Sequence, residues 1–248
     1  MAMTQLSSEI EANFEGFCAQ WTAEQNEVLQ ELSKSKRRYL RSYTRLVSLN
    51  AWRENLLSNL LSPVSLAFFL EAQNDALLSH VLASIGCWRS ALKSLRSCIE
   101  NTLSCLYYKD HPVELELWQR GSHRMEFIEL HKYLSRHPAI SSVTASLTGL
   151  DLIKREYSTL SRAVHAFAPF RMTAGQESTS LWSASRASLG AWQTRESNVI
   201  RGLNLLLVTL FREHLQGARL PGLRAVVALA ITGNIRQRIG EDLKVNLH

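Results

Sequence analysis

Between residues 4 and 32, apolar side chains recur at Ile10, Phe14, Phe17, Trp21, Val28, Leu29 and Leu32 in an otherwise polar stretch. That spacing predicts a long amphipathic helix. A basic helix follows to about residue 49, and after Trp52 a short helix ends at Ser62-Pro63. There the proline restricts the residue before it and suits the first turn of a new helix, 63 to 85. Gly86 interrupts. The next helix, 87 to 109, carries Trp88, Leu92, Leu95, Ile99, Leu103 and Leu106 on one face and is stopped by Asp110-His111-Pro112. Two short helices are expected on either side of Gly121 and before Pro138, then a helix from 150 to 167 ending at Pro169. Residues 171 to 194, rich in Ser, Thr, Ala and Gly with little charge, read as a long loop bearing Trp182 and Trp192. Two helices, 195 to 216 and 221 to 244, close the chain.

Composition supports that reading. Gly (11) and Pro (5) are scarce in 248 residues, so the chain lacks the frequent turns that a sandwich or barrel needs. With 46% hydrophobic residues it has ample material for a core. The expected fold is all-α: a helical bundle at 63 to 248, preceded by an N-terminal helical extension at 1 to 62. Cys18, Cys87, Cys98 and Cys105 show neither finger nor CxxC spacing, so no metal and no cofactor is expected. Cys87, Cys98 and Cys105 are expected to face the core. An acidic N-terminus without a continuous apolar stretch predicts a cytoplasmic protein. The most apolar windows, 56 to 70 and 203 to 211, are too short or too interrupted for stable membrane insertion.

Charge is unevenly distributed. Residues 1 to 33 hold six acids (Glu9, Glu11, Glu15, Glu24, Glu27 and Glu31) and no base, whereas 34 to 45 hold six bases and no acid. On a helix Lys34, Arg38, Arg41 and Arg45 fall at steps of four, three and four and line one face. Such a stripe suits an RNA phosphate backbone or an anionic lipid surface. Equally, the acidic segment offers to neutralise it, within the chain or across a dimer.

Two constellations carry candidate chemistry. On the helix 87 to 109, Arg89, Lys93, Arg96 and Glu100 form a charged line beside the apolar face. Arg96 and Glu100 read either as an exposed pair or as polar groups of a cleft. In YSTLSRAVHAF (157 to 167), Tyr157, Ser161 and His165 repeat every four residues, with Arg162 close by. A histidine among hydroxyls suits general acid/base work on a phosphodiester, with Arg162 holding the phosphate; the structural alternative is a histidine that fixes helix packing. His111, His123, His131 and His137 lack the spacing of a metal site. No phosphate-binding Gly-rich loop, GxSxG elbow or dinucleotide fingerprint is present.

The ALKSLRSCIEN helix, the YYKDHPVELELW connection and the YSTLSRAVHAF helix together resemble bacterial helical proteins related to the HEPN superfamily, over about residues 64 to 167. The resemblance implies a helical bundle, often dimeric, of toxin and phage-defence systems, many of whose members are metal-independent ribonucleases. Active members carry Arg, four to six residues, then His. Here Arg162 and His165 have two residues between them, and the spacing of six occurs instead at Arg124 and His131. The resemblance implies an effector that binds or cleaves RNA; in that reading the residues themselves offer His165 as acid/base, Arg162 as phosphate contact, Arg96 and Glu100 as a facing-helix polar pair, and Lys34, Arg38, Arg41 and Arg45 as backbone guides. Against it stands a non-catalytic helical module that acts through a protein partner, with homo-oligomerisation expected in either case.

Overall fold

The computed structural model describes residues 2–165 and 182–247. All regular structure among them is helical. α1 (Ala2–Lys34) is followed by α2 (Lys36–Trp52) with Ser35 alone between them, at φ −102° and ψ 12°; Ser35 N donates to Glu31 O at the end of one helix and Ser35 O accepts from Tyr39 N at the start of the next. A widened π turn at Arg53–Leu57 leads to the single turn α3 (Ser58–Leu60). α4 (Pro63–Ser84) then starts as its sequence directs, with Pro63 in the first turn and the Ser62 side chain accepting from Ser65 N.

α4 packs along α5 (Trp88–Asp110) in the most extensive helix pair of the fold. Their short connection turns at Gly86, whose φ of 76° and close approach to the Ser183 backbone leave no room for a side chain. α6 (Pro112–Gln119) and α7 (Phe127–Arg136) follow. α7 opens with a reciprocal capping box in which Glu129 Oε2 accepts from Glu126 N at 2.8 Å. The short turns α8 (Pro138–Ser141) and α9 (Ala145–Thr148) precede α10 (Leu150–Val164). α11 (Arg186–Leu210) is the central helix, packed on α2, α5 and α10. α12 (Arg212–Leu215), α13 (Pro221–Ala228) and α14 (Gly233–Leu243) complete the bundle.

Two sequence expectations change. α11 begins at Arg186, so 186–194 is helix and not loop. Ser185 caps it by accepting from Ser188 N at 3.1 Å, and Leu189, Trp192, Glu196 and Val199 at steps of three, four and three form a buried face. The expected helix 221 to 244 is two helices, broken between Ala228 and Gly233. The remaining part of the expected loop, 171 to 181, and the end of the expected helix at 166 to 167 lie outside the described residues.

One continuous core runs from Tyr39 to Leu247. Leu49, Trp52 and Leu57 are as deeply buried as Leu103 or Leu206, so a boundary at residue 62 would cut through packed side chains. Burying each such side chain contributes roughly 1.5–3 kcal/mol. The polar ends of the large aromatics are satisfied inside: Trp52 Nε1 donates to Asn204 Oδ1 at 2.9 Å and Trp192 Nε1 to Ser79 Oγ at 3.0 Å. Cys98 and Cys105 are buried in the core and Cys87 is half-buried. Among the described residues no helix is long and apolar enough to cross a membrane.

Candidate functional site

α5 and α10 lie side by side, and their seam holds the residues singled out from the sequence. Midway along it, Arg96 Nη2 donates to Tyr157 Oη at 2.7 Å and pairs with Glu100 Oε1 at 2.8 Å, while Tyr157 Oη donates to the same carboxylate at 2.8 Å. The triangle is closed. The Arg96 guanidinium also sits 4.9 Å from the Tyr157 ring centroid, and the Phe127 ring of α7 stacks on the Tyr157 ring at 3.6 Å. Burial raises the Tyr157 phenol, with the Arg96 hydrogen bond opposing and Glu100 reinforcing the shift, so it stays protonated and donates to Glu100.

Arg96 and Glu100 therefore do meet α10, but at Tyr157, two turns before His165. Tyr157→Phe removes a hydroxyl that two charged groups share and should destabilise the fold by roughly 1–2 kcal/mol, read as a thermal midpoint lowered by a few degrees. An unchanged midpoint would show that the triangle is not formed in solution.

Nearer the start of α5, Arg89 donates from Nε to Ala163 O at 2.9 Å and from Nη2 to Val164 O at 3.2 Å. A cation on the terminal carbonyls of α10 complements the negative end of the helix dipole. This places the Arg89 guanidinium one residue from His165, a neighbour that the sequence did not announce. His165 itself is the C-cap of α10, exposed, with its backbone N bonded to Ser161 O at 3.1 Å. Arg162 and Lys93 are exposed as well. Lys93, Arg162 and His165 have no ion pair among the described residues.

The stripe on α2 is partitioned. Lys34 pairs with Glu31 at 2.8 Å; Arg38 Nε donates to Gln193 Oε1 at 2.7 Å, and Gln193 returns a bond to Arg38 O. Arg45 points inward to Glu196 on α11. Only Arg41 of the four is exposed with no ion pair among the described residues, and it is joined by Lys36 and Arg37. Two of the four predicted backbone guides are thus fastened to α11. Arg124, exposed, pairs with Glu126 at 3.4 Å, whereas His131 is half-buried with Nε2 at 3.3 Å from Leu150 O.

Two clusters form away from that seam. Ser42 Oγ lies 3.0 Å from His80 Nδ1, beside the Arg45–Glu196 pair, and Tyr39, Tyr43 and Trp192 stand around the His80 ring at 5.9–6.1 Å. Burial, then Arg45, lowers His80 below the usual imidazole range. Where α5 meets α7, Tyr133 donates to Asp110 Oδ2 at 2.8 Å, His137 Nε2 approaches the same oxygen at 3.5 Å, and Tyr107 stacks on His111 at 4.0 Å. Of that cluster the sequence offered His111 and His137, weighed as metal ligands, and the i,i+4 spacings of Tyr107 with His111 and of Tyr133 with His137. No group of three or more metal-ligating side chains assembles among the described residues. Comparison of the chain with protein families, curated proteins and solved structures finds no match.

Proposed function

We propose that the chain binds RNA along the α5–α10 seam, with backbone phosphates against Lys93, Arg162 and the free edge of Arg89, and His165 beside the contacted phosphate. The observation that carries this reading is the set of exposed, unpaired cations contributed by two packed helices. Such a set is what a phosphate backbone recognises. The HEPN-like sequence features support it and extend it to an effector of a toxin or phage-defence system. Cleavage at this place would run through attack of the 2′-hydroxyl on the adjacent phosphorus, with departure of the 5′-oxygen and formation of a 2′,3′-cyclic phosphate. His165 would take the hydroxyl proton, solvent water would protonate the departing 5′-oxygen, and Arg162 would offset charge on the phosphoryl oxygens.

The test is incubation with a tRNA pool in EDTA, combined with a binding titration at two salt concentrations. Lys93→Ala and Arg162→Ala should each weaken binding and each lower the salt slope by about one. His165→Ala should abolish cleavage while leaving binding and helicity in place. Unchanged binding in both Lys93→Ala and Arg162→Ala would overturn the reading; binding without cleavage in the wild type would reduce it to a binding module.

A second reading, a helical module that works through a protein contact, is favoured by a different observation. Every residue from Gln5 to Phe17 on α1 is exposed, including Leu6, Ile10, Phe14 and Phe17.

A further inference from the structure

The exposed part of α1 is unusual in chemistry as well as in position. Leu6, Ile10, Phe14 and Phe17, each 49–65% exposed, fall at steps of four, four and three and form one apolar stripe. An isolated helix of about 12–15 residues is marginal in water, and most helical stability in proteins comes from packing an apolar face. Exposed apolar patches of this extent mark contact surfaces. Around the stripe, Glu9, Glu11 and Glu15 are the only charged residues.

The chain carries a matching surface. Leu40, Tyr43 and Val47 of α2 and Leu77 and Val81 of α4 are large apolar side chains left 39–59% exposed. Tyr43, Val47, Leu70 and Leu77 wall a groove of about 430 Å³ between the two helices, with Asn50 and Gln73 among the polar side chains of its lining. Next to it, Lys36, Arg37 and Arg41 are exposed and have no ion pair among the described residues. A helix with an apolar stripe and acidic flanks and a groove with apolar walls and a basic edge are complementary in both respects.

They cannot meet within one chain. Ser35 alone separates α1 from α2, which leaves no loop with which α1 could fold back, and every residue from Gln5 to Phe17 is exposed. Pairing two α1 arms with each other would bring acids against acids with no base between them. We infer that the arm of one copy docks in the α2–α4 groove of a second copy, and reciprocally, giving a two-fold dimer of antiparallel α1–α2 helices. The arrangement is isologous and closed, because each copy offers one arm and one groove. It stands apart from the α5–α10 seam and does not depend on RNA binding.

Equilibrium sedimentation of the full chain tests it, with circular dichroism on each variant. The wild type should be a dimer. Phe14→Glu with Phe17→Glu, and separately Val47→Glu with Leu77→Glu, should each weaken association at least about tenfold. All four positions are exposed, so helicity should be retained. Mixing the two double variants leaves one intact arm–groove contact and should recover part of the association. Charge reversal of Glu9, Glu11 and Glu15 to Lys should also dissociate the dimer, and adding Arg37→Glu and Arg41→Glu should restore it. A monomeric wild type overturns the inference. Loss of the dimer in arm variants but not in groove variants overturns it in favour of arm–arm pairing. Failure of the charge swap to rescue overturns the assigned pairing of α1 with α2.

Discussion

Arg45→Ala is expected to destabilise the protein by roughly 3–5 kcal/mol, the range for removing one partner of a buried ion pair. Its carboxylate partner, Glu196, is fully buried on the central helix α11, and Arg45 is itself only 15% exposed. Arg45 Nε holds Glu196 Oε2 at 3.1 Å and Nη2 bonds the same oxygen. Removing the guanidinium leaves the carboxyl between α2 and α11 without its cation. A chain of this length loses about 2–4 °C per kcal/mol, so a thermal melt should show a fall of roughly 10 °C or more. Arg155→Ala, at an exposed position of α10, should change the midpoint little. Equal melts for the two variants would show that the Arg45–Glu196 pair contributes nothing.

The same carboxyl gives the prediction a pH signature. Burial raises Glu196 from its ordinary 4.5 to about 7, with the Arg45 and Ser42 hydrogen bonds acting in the opposite direction. Between those values the folded chain holds a proton that the unfolded chain has released. Stability contributed by this group therefore falls as pH rises from about 4.5 to 7 and levels off above, by an amount on the order of 3 kcal/mol. Glu196→Gln has no such proton to lose. The difference in stability between wild type and Glu196→Gln should change across that window; curves that stay parallel from pH 4.5 to 8 would exclude the raised carboxyl.

Gly149→Ala is the second large effect. Gly149 joins α9 to α10 with φ at 74°, a conformation that costs an L residue about 1–2 kcal/mol. A Cβ there would lie 2.2 Å from Gly202 O and 3.0 Å from Leu205 Cβ on α11. Gly202 reciprocates, since its own Cβ would meet Ile153 Cγ1 at 2.9 Å. The start of α10 thus touches the middle of α11 backbone to backbone. Overpacking adds roughly 1–3 kcal/mol, and the midpoint should fall by roughly 5–15 °C. Gly121 is the control: its φ is 72° but nothing lies within 4 Å of its Cβ position, so Gly121→Ala should show the backbone strain alone. Similar losses for the two would show that α11 yields to the added methyl.

How much of this was legible beforehand depends on the range of the interaction. The α4 start is written locally: Ser62 accepts from an amide three residues on and Pro63 cannot donate, so both signals act within one turn. The apolar line Leu92, Leu95, Ile99, Leu103 and Leu106 on α5 was readable for the same reason, because a helical face is a property of spacing. The start of α11 was missed because Ser, Ala and Gly between 183 and 191 resemble loop composition. Helix there is favoured by what Leu189 and Trp192 pack against, not by propensity.

The candidate site divides in the same way. Periodicity placed Arg96 with Glu100 on one face of α5, and the ion pair forms. Their third member, Tyr157, is 57 residues from Glu100 along the chain, and Arg89 reaches carbonyls 74 and 75 residues away. Nor does spacing separate Arg45 from Arg41, although one holds a buried carboxylate and the other faces solvent. The amino-acid sequence by itself determined that the chain is all-helical, where most helices begin and end, which faces are apolar, and that an acidic helix precedes a basic one. Only the tertiary structure decided that Arg38 and Arg45 fasten α2 to α11, that α1 extends away from its own basic continuation, and that Tyr157 rather than His165 completes the Arg96–Glu100 pair. Turn-scale hydrogen bonding and side-chain periodicity involve neighbours a few residues apart, whereas the partner of a charge is chosen by how helices distant in sequence are packed.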